Sequence, residues 1–450
     1  MRKVQLLASM LMILGLLLSA CVPTAPPGSG NSAGAADDGT VTLTFWHHWG
    51  GNRVPLMEEQ IKRFEEQHPN IKVEMTLQPW ENRLQKILTG VAGGAPPSVT
   101  MLGRQDVPAF VVQNALQPLD EWMARDGIAR EDFYPSEISG AVYDGATWIM
   151  PMPTGGALTM EWYNKDWFAQ VGLDAENPPN TWAELEEVAK ALTILEDGKL
   201  QRAGIDVTRA GNVPYLTWLN ANGGEWVSED LKTVEFNSPE GLETLQWIVD
   251  FTNNINGGIE EVREFYSQTG EWENGPFYTD YEGLQINGSW ELFKILEYAP
   301  DMNLGVTSIP YGPNGNDATR GAAYGGWGYV IPAGVEGAEA EAAWELVKFL
   351  TVSMDGACWF LQQQQRPSPH IACNEAPESG ADNVLWNDFL SIMAKDKVIR
   401  ITPVQPQIEE ILNQMMEEAL FGLKTPEEAI QWGAEEAQKL LDEYWQNAGS

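Results

Sequence analysis

Val41-Thr-Leu-Thr-Phe-Trp46 alternates apolar and polar side chains as a half-buried strand does, and Ile71-Lys-Val-Glu-Met-Thr-Leu77 repeats the pattern. Between them His47-His-Trp-Gly-Gly51 turns the chain and Pro55 suits a helix start. Met57, Ile61 and Phe64 then recur at helical spacing until Pro69. Strand, helix and strand in that order favour a parallel sheet with helices on its faces. The pattern continues with a helix around Trp80 to Val91, the break Gly93-Gly-Ala-Pro-Pro97, a short strand from Val99 to Leu102 and a helix near Val107 to Asn114. Ligands on such sheets gather beyond the carboxyl ends of the strands. Three loops are therefore expected to face a ligand: Trp46 to Asn52, Gln78 to Glu81, and Gly103 to Asp106.

Toward the N-terminus, Arg2 and Lys3 precede an apolar run from Leu6 through Leu18. A membrane-spanning helix needs ~20 apolar residues, so this run reads as the core of a signal peptide. It ends in Leu18-Ser-Ala-Cys21, which resembles the bacterial lipobox, where the cysteine becomes the lipidated N-terminus. Residues 22–38 have almost no large apolar side chain and read as a flexible tether. The expectation is a signal peptide over 1–20, a lipidated Cys21 with its tether over 21–38, and an extracytoplasmic body anchored to the membrane rather than spanning it.

About 410 residues follow, more than one hydrophobic core usually organises, so two lobes are expected. Hydrophobic content of 43% and 19 Trp indicate a well-packed body. A net charge of −37 opposes contact with nucleic acid and anionic lipid. With Cys21 carrying lipid, Cys358 and Cys373 remain, a pair that an oxidising compartment commonly joins. His47 and His48 point to opposite sides of a strand and have only His68 and His370 to join them, so no metal site is expected. No cofactor is expected either. Nucleophile elbow, Walker loop and His-Glu-x-x-His are all missing, which argues against an enzyme.

Farther along, Trp148-Ile-Met-Pro-Met-Pro-Thr-Gly-Gly156 and Tyr324-Gly-Gly-Trp-Gly-Tyr-Val-Ile-Pro332 read as crossings between lobes. Thr181-Trp-Ala-Glu184 and Thr425-Pro-Glu-Glu428 are capping boxes that open helices.

In this order the chain resembles a family 1 extracellular solute-binding protein, the group that includes the maltose- and maltodextrin-binding components of ABC sugar importers. Trp162-Tyr-Asn-Lys-Asp166, Pro178-Pro-Asn-Thr-Trp182, Pro214-Tyr-Leu-Thr-Trp218 with Gly223-Gly224, Asn287-Gly-Ser-Trp290 and Leu304-Gly-Val-Thr-Ser-Ile-Pro310 carry the resemblance, together with the opening strand-helix-strand. It implies an α/β periplasmic-binding-protein fold of two lobes, each a mostly parallel sheet flanked by helices, with hinge crossings between them. It also implies closure on a ligand. Lobe 1 is expected over 39–153 and 329–366, and lobe 2 over 154–328 and 367–450. Tyr215 and Trp290 take the family's ligand-stacking positions. Gly50, Gly51 and the loop Gly103-Arg-Gln-Asp106 depart from the maltodextrin pattern.

Sugars present apolar C–H faces ringed by hydroxyls, so a sugar site wants aromatic platforms and planar polar groups. Most of the tryptophans are expected in the core. Position singles out Trp49 and Trp80 in turns after strands, Trp290 after an Asn-Gly turn, and Trp327 inside a Gly-rich crossing. Among polar residues Arg104, Asp106 and Arg366 are the candidates, since guanidinium and carboxylate hold vicinal hydroxyls well. The expected function is a monomeric, non-catalytic receptor for a di- or oligosaccharide that presents its closed form to the membrane permease of an ABC importer. The alternatives are the same fold holding a polyol, a glycerol-phosphate ester or a peptide, a secreted glycan-active enzyme, and an adhesin.

Overall fold

Alternation at the start of the chain is realised as strands because one face of each meets a helix-covered core. In the computed structural model, which describes residues 39–152, 160–211, 213–270, 275–323, 325–380, 383–395 and 397–448, β1 is Val41–His47, α1 Arg53–Gln67 and β2 Ile71–Leu77. α2 is Arg83–Ala92 and β3 Val99–Gly103. β1 pairs in parallel with β2 from Val41↔Ile71 to His47↔Leu77, and with β3 at Phe45↔Val99 and Trp46↔Thr100. Met57, Ile61 and Phe64 are the apolar face of α1 and join Leu43 and Phe45 in the core.

Then come β4 (Met150–Pro151), β5 (Met160–Asn164), α3 (Trp182–Leu192), α4 (Pro214–Ala221) and α5 (Pro239–Ile255). β6 (Leu284–Asn287), α6 (Glu291–Tyr298), β7 (Leu304–Ser308) and β8 (Trp327–Val330) follow, and α7 (Gly337–Thr351), α8 (Gln405–Leu420) and α9 (Pro426–Ala448) complete the set needed here. Both capping boxes form: Thr181 and Glu184 exchange hydrogen bonds with each other's backbone, as do Thr425 and Glu428. Each such cap is worth ~1 kcal/mol.

The chain builds two lobes of helix-covered sheet, but the sheets are mixed rather than mostly parallel. The first is five-stranded in the order β2-β1-β3-β8-β4, and β8 runs antiparallel to both β3 and β4. The second is three-stranded in the order β6-β5-β7, with β5 antiparallel to both neighbours. In each case a strand remote in sequence inserts between two strands that run the same way. Local periodicity cannot reveal such an insertion.

Each sheet has its own core. Phe45, Phe64, Met101, Phe110, Tyr329 and Trp344 are buried together in the first lobe. Trp182, Trp218, Phe236 and Leu245 are buried with Ile408 and Leu441 in the second, where Met160, Trp162, Leu292 and Phe389 form a further cluster. The stretch that follows residue 367 also contacts the first lobe. The Tyr134 amide donates to the Pro369 carbonyl at 3.0 Å and Phe133 bridges His370. The bond between Cys358 and Cys373, whose Cα atoms are 5.1 Å apart, ties the same stretch back to the chain that precedes it. No helix among the described residues is long and apolar enough to cross a membrane. The expectations for residues 1–38, Cys21 included, and for 153–156 of the first crossing lie outside the described residues.

Candidate functional site

Because β1, β2 and β3 are parallel, their carboxyl ends share one edge of the first sheet. β8 is antiparallel to β3, with Trp327 opposite Gly103, so its amino end arrives at the same edge. This brings together side chains from four separate segments. Trp80 meets Trp327 edge to face with ring centroids 5.5 Å apart. The His48 imidazole lies 6.5 Å from Trp80 and 6.0 Å from Trp327. Arg83, the first residue of α2, covers the Trp80 ring at 4.0 Å. Burial drives the His48 pKa down to about 4, against a hydrogen bond to the Gln78 carbonyl and with the nearby Arg83 cation adding to the fall. The imidazole is therefore neutral at physiological pH.

Asp106 ends the turn after β3. It is buried, its Oδ2 has no hydrogen-bond partner among the described residues, and neither has the neighbouring Gln105 Oε1. Burial raises the Asp106 pKa to about 7, Arg83 opposes the rise, and Glu409 on α8 of the second lobe adds to it. An unpartnered buried carboxyl group costs stability unless something completes its hydrogen bonding.

On the second lobe a cavity of about 530 Å³ is lined by Asp206, Arg209, Tyr266, Gln285, Asn287 and Trp290 among others. Its volume falls within the range of small-molecule sites. Gly288 has to be glycine here, since a Cβ would overlap the Trp290 ring. Asn287 donates to Glu291 at 2.8 Å, and the Tyr266 hydroxyl donates to Glu282 at 2.6 Å. Burial raises the Glu282 pKa to about 7. Asp206 Oδ2 and Gln285 Nε2 lack partners among the described residues. None of Asp206, Arg209, Tyr266, Glu282 and Gln285 was among the sequence candidates, because they come from segments with no shared motif. Only Gln285 carried a usable signal. It sits two positions before Asn287 on the same strand face.

The other candidates are placed elsewhere. Trp49 is only 8% exposed and stacks on Phe360 at 6.2 Å, inside the first-lobe core. Tyr215 is buried on α4, all of whose residues are buried, and its hydroxyl donates to the Gly241 carbonyl at 3.2 Å. Tyr215 is thus part of the second-lobe core. Arg104 forms a fully buried ion pair with Glu137 at 2.9 Å. Its guanidinium fills the space beside Gly326, which has φ +102° and no room for a Cβ. Arg366 is buried and donates from Nε to Ser289 Oγ at 3.3 Å, joining the segment after the first-lobe core to the residue before Trp290. Among the described residues only Cys358, His370 and Cys373 cluster closely enough to suggest a metal, and the disulfide takes both sulfurs.

Residues 50–354 match the family described as bacterial extracellular solute-binding proteins. The chain is 24% identical over 427 residues to the sn-glycerol-3-phosphate-binding periplasmic protein of Escherichia coli K12, covering 89% of this chain and 92% of the relative. Among solved structures it is similar to an ABC transporter solute-binding protein of Thermotoga lettingae bound with alpha-D-tagatose. That match has TM-score 0.73 and 26% identity, over 89% of this chain and 99% of the other. The sugar-binding protein of Xanthomonas citri superimposes with TM-score 0.75 at 21% identity, over 91% and 100% of the two chains.

Proposed function

Because the chain belongs to the bacterial extracellular solute-binding protein family, we propose that it captures a carbohydrate, a di- or oligosaccharide, between its two lobes and delivers it to the membrane permease of an ABC importer. The observation that carries this reading is the group of Trp80, Trp327, His48 and Asp106 at one sheet edge. Indole faces suit sugar C–H surfaces, and a carboxylate with an unused oxygen accepts a sugar hydroxyl. Trp290 and Asn287 would supply the opposing jaw. The proposal includes lipidation at Cys21, which would hold the receptor at the outer face of the membrane beside its permease.

A second reading, a glycerol-phosphate ester, draws support from the Escherichia coli relative and from Arg209 and Lys294 in the second-lobe cavity. A thermal-shift screen of residues 39–450 separates the two. The panel holds mono-, di- and oligosaccharides, polyols and glycerol phosphates. A solute at a hundred times its dissociation constant adds ~2.7 kcal/mol of stability. Shifts confined to saccharides uphold the first reading. A shift with glycerol phosphate alone replaces it, and a folded, ligand-free chain that answers to nothing removes both.

A further inference from the structure

Cations of the first lobe reach across to one helix of the second. The Arg53 guanidinium, at the start of α1, lies 5.0 Å from the Trp49 ring on its own lobe and 5.7 Å from the Phe293 ring on α6. Beside it, the Asn52 side-chain amide donates to the Glu297 carboxylate. Burial lowers the Arg53 pKa, and Glu291, Tyr298 and Glu297, all on α6, oppose the fall. The Arg53 Nε has no hydrogen-bond partner among the described residues. Arg366 adds a second tie through Ser289, which leads through Trp290 into the same helix.

We propose that Arg53 is an affinity-setting residue that acts by holding the lobes together through α6, without touching the solute. The proposal rests on the reading in which the lobes close on a solute. Attraction between this guanidinium and the α6 carboxylates exists only while the lobes are together, so it stabilises the closed state alone. Apparent affinity scales with the fraction of chain in the binding-competent state. Trp49, stacked between Arg53 and Phe360, fixes the guanidinium on its side of the gap.

The test uses the whole mature chain and two readouts. Small-angle scattering without solute should show Arg53→Gln more open than the parent and Arg53→Glu more open again. Arg53→Glu combined with Glu297→Arg should return to the parent profile, and Arg53→Lys should stay near it. Affinity for whichever panel solute stabilises the parent should fall about fivefold in Arg53→Gln and recover in the swapped pair. Parent-like scattering in Arg53→Glu overturns the proposal. So does weakened binding in Arg53→Gln with unchanged solute-free scattering and no recovery in the swap, since Arg53 would then be a direct solute contact. The scattering is read without solute, so a chain that binds no sugar refutes the functional reading while leaving this test intact.

Discussion

Trp80, in the loop after β2, meets Trp327, at the start of a strand that returns from the other lobe, with ring centroids 5.5 Å apart and planes at 65°. Neither ring is a core residue of its own segment. Trp80 is 54% exposed, an unusual state for so large an apolar side chain. Under the proposed function the pair is a platform for the apolar face of a sugar.

Trp327→Ala and Trp80→Ala should therefore separate binding from stability. Loss of one stacking face should weaken saccharide affinity about tenfold. For the exposed Trp80, the stability read from urea unfolding should move by no more than ~0.5 kcal/mol. Calorimetric titration and urea unfolding on the same samples give both numbers. Equal losses in both would mean that the rings are packing residues.

Asp106 should make both stability and binding depend on pH. Its folded pKa is raised to about 7 from an ordinary value of 3.8. The folded chain thus keeps a proton that the unfolded chain releases. This favours folding below about pH 4, and the advantage is lost as pH rises through about 7. Relative to Asp106→Asn, the parent should lose stability steadily between about pH 4 and 7. A solute hydroxyl that donates to the carboxylate favours its ionised form, so parent affinity should rise over the same range while the variant stays flat. Urea unfolding and titrations at several pH values check both trends.

Arg104 should behave as a structural residue. Removing one member of a buried ion pair leaves the other charge stranded, at a cost of about 3–5 kcal/mol. Arg104→Ala and Glu137→Gln should each lower the melting temperature by many degrees. Replacing both with apolar residues of similar volume should recover much of the loss. A ligand contact would instead show intact stability and lost affinity.

Tyr215→Phe should cost about 1 kcal/mol of stability, the net worth of one buried hydrogen bond, and should leave saccharide affinity unchanged. If affinity falls sharply while the melting temperature holds, the tyrosine faces the solute after all.

Reduction of the bond between Cys358 and Cys373 should destabilise the chain by about 2–4 kcal/mol, since a short loop is then free in the unfolded state. Melting curves with and without a thiol reductant measure the difference. The double variant Cys358→Ser with Cys373→Ser should match the reduced parent.

Much of this protein was legible in its amino-acid order. The β1-α1-β2 unit, the two capping boxes and the strand-end loops all follow from local chemistry, because alternation, helical spacing and caps are properties of neighbouring residues. In the structure Trp80, from the loop after β2, meets Trp327 from the glycine-rich crossing. Local chemistry could not say which way a long aromatic would turn. Trp49 and Trp80 occupy equivalent turns after adjacent parallel strands. One stacks on Phe360 beneath Arg53, while the other stands beside Trp327, His48 and Arg83.

By itself, then, the sequence determined the fold class and the family resemblance. Tertiary structure alone decided the mixed direction of both sheets, the core roles of Tyr215 and Arg104, and the joining of Arg53 to α6. The reason is physical. Strand order, burial and charge pairing between distant segments depend on which surfaces meet across the folded chain, and neighbouring residues carry no record of that.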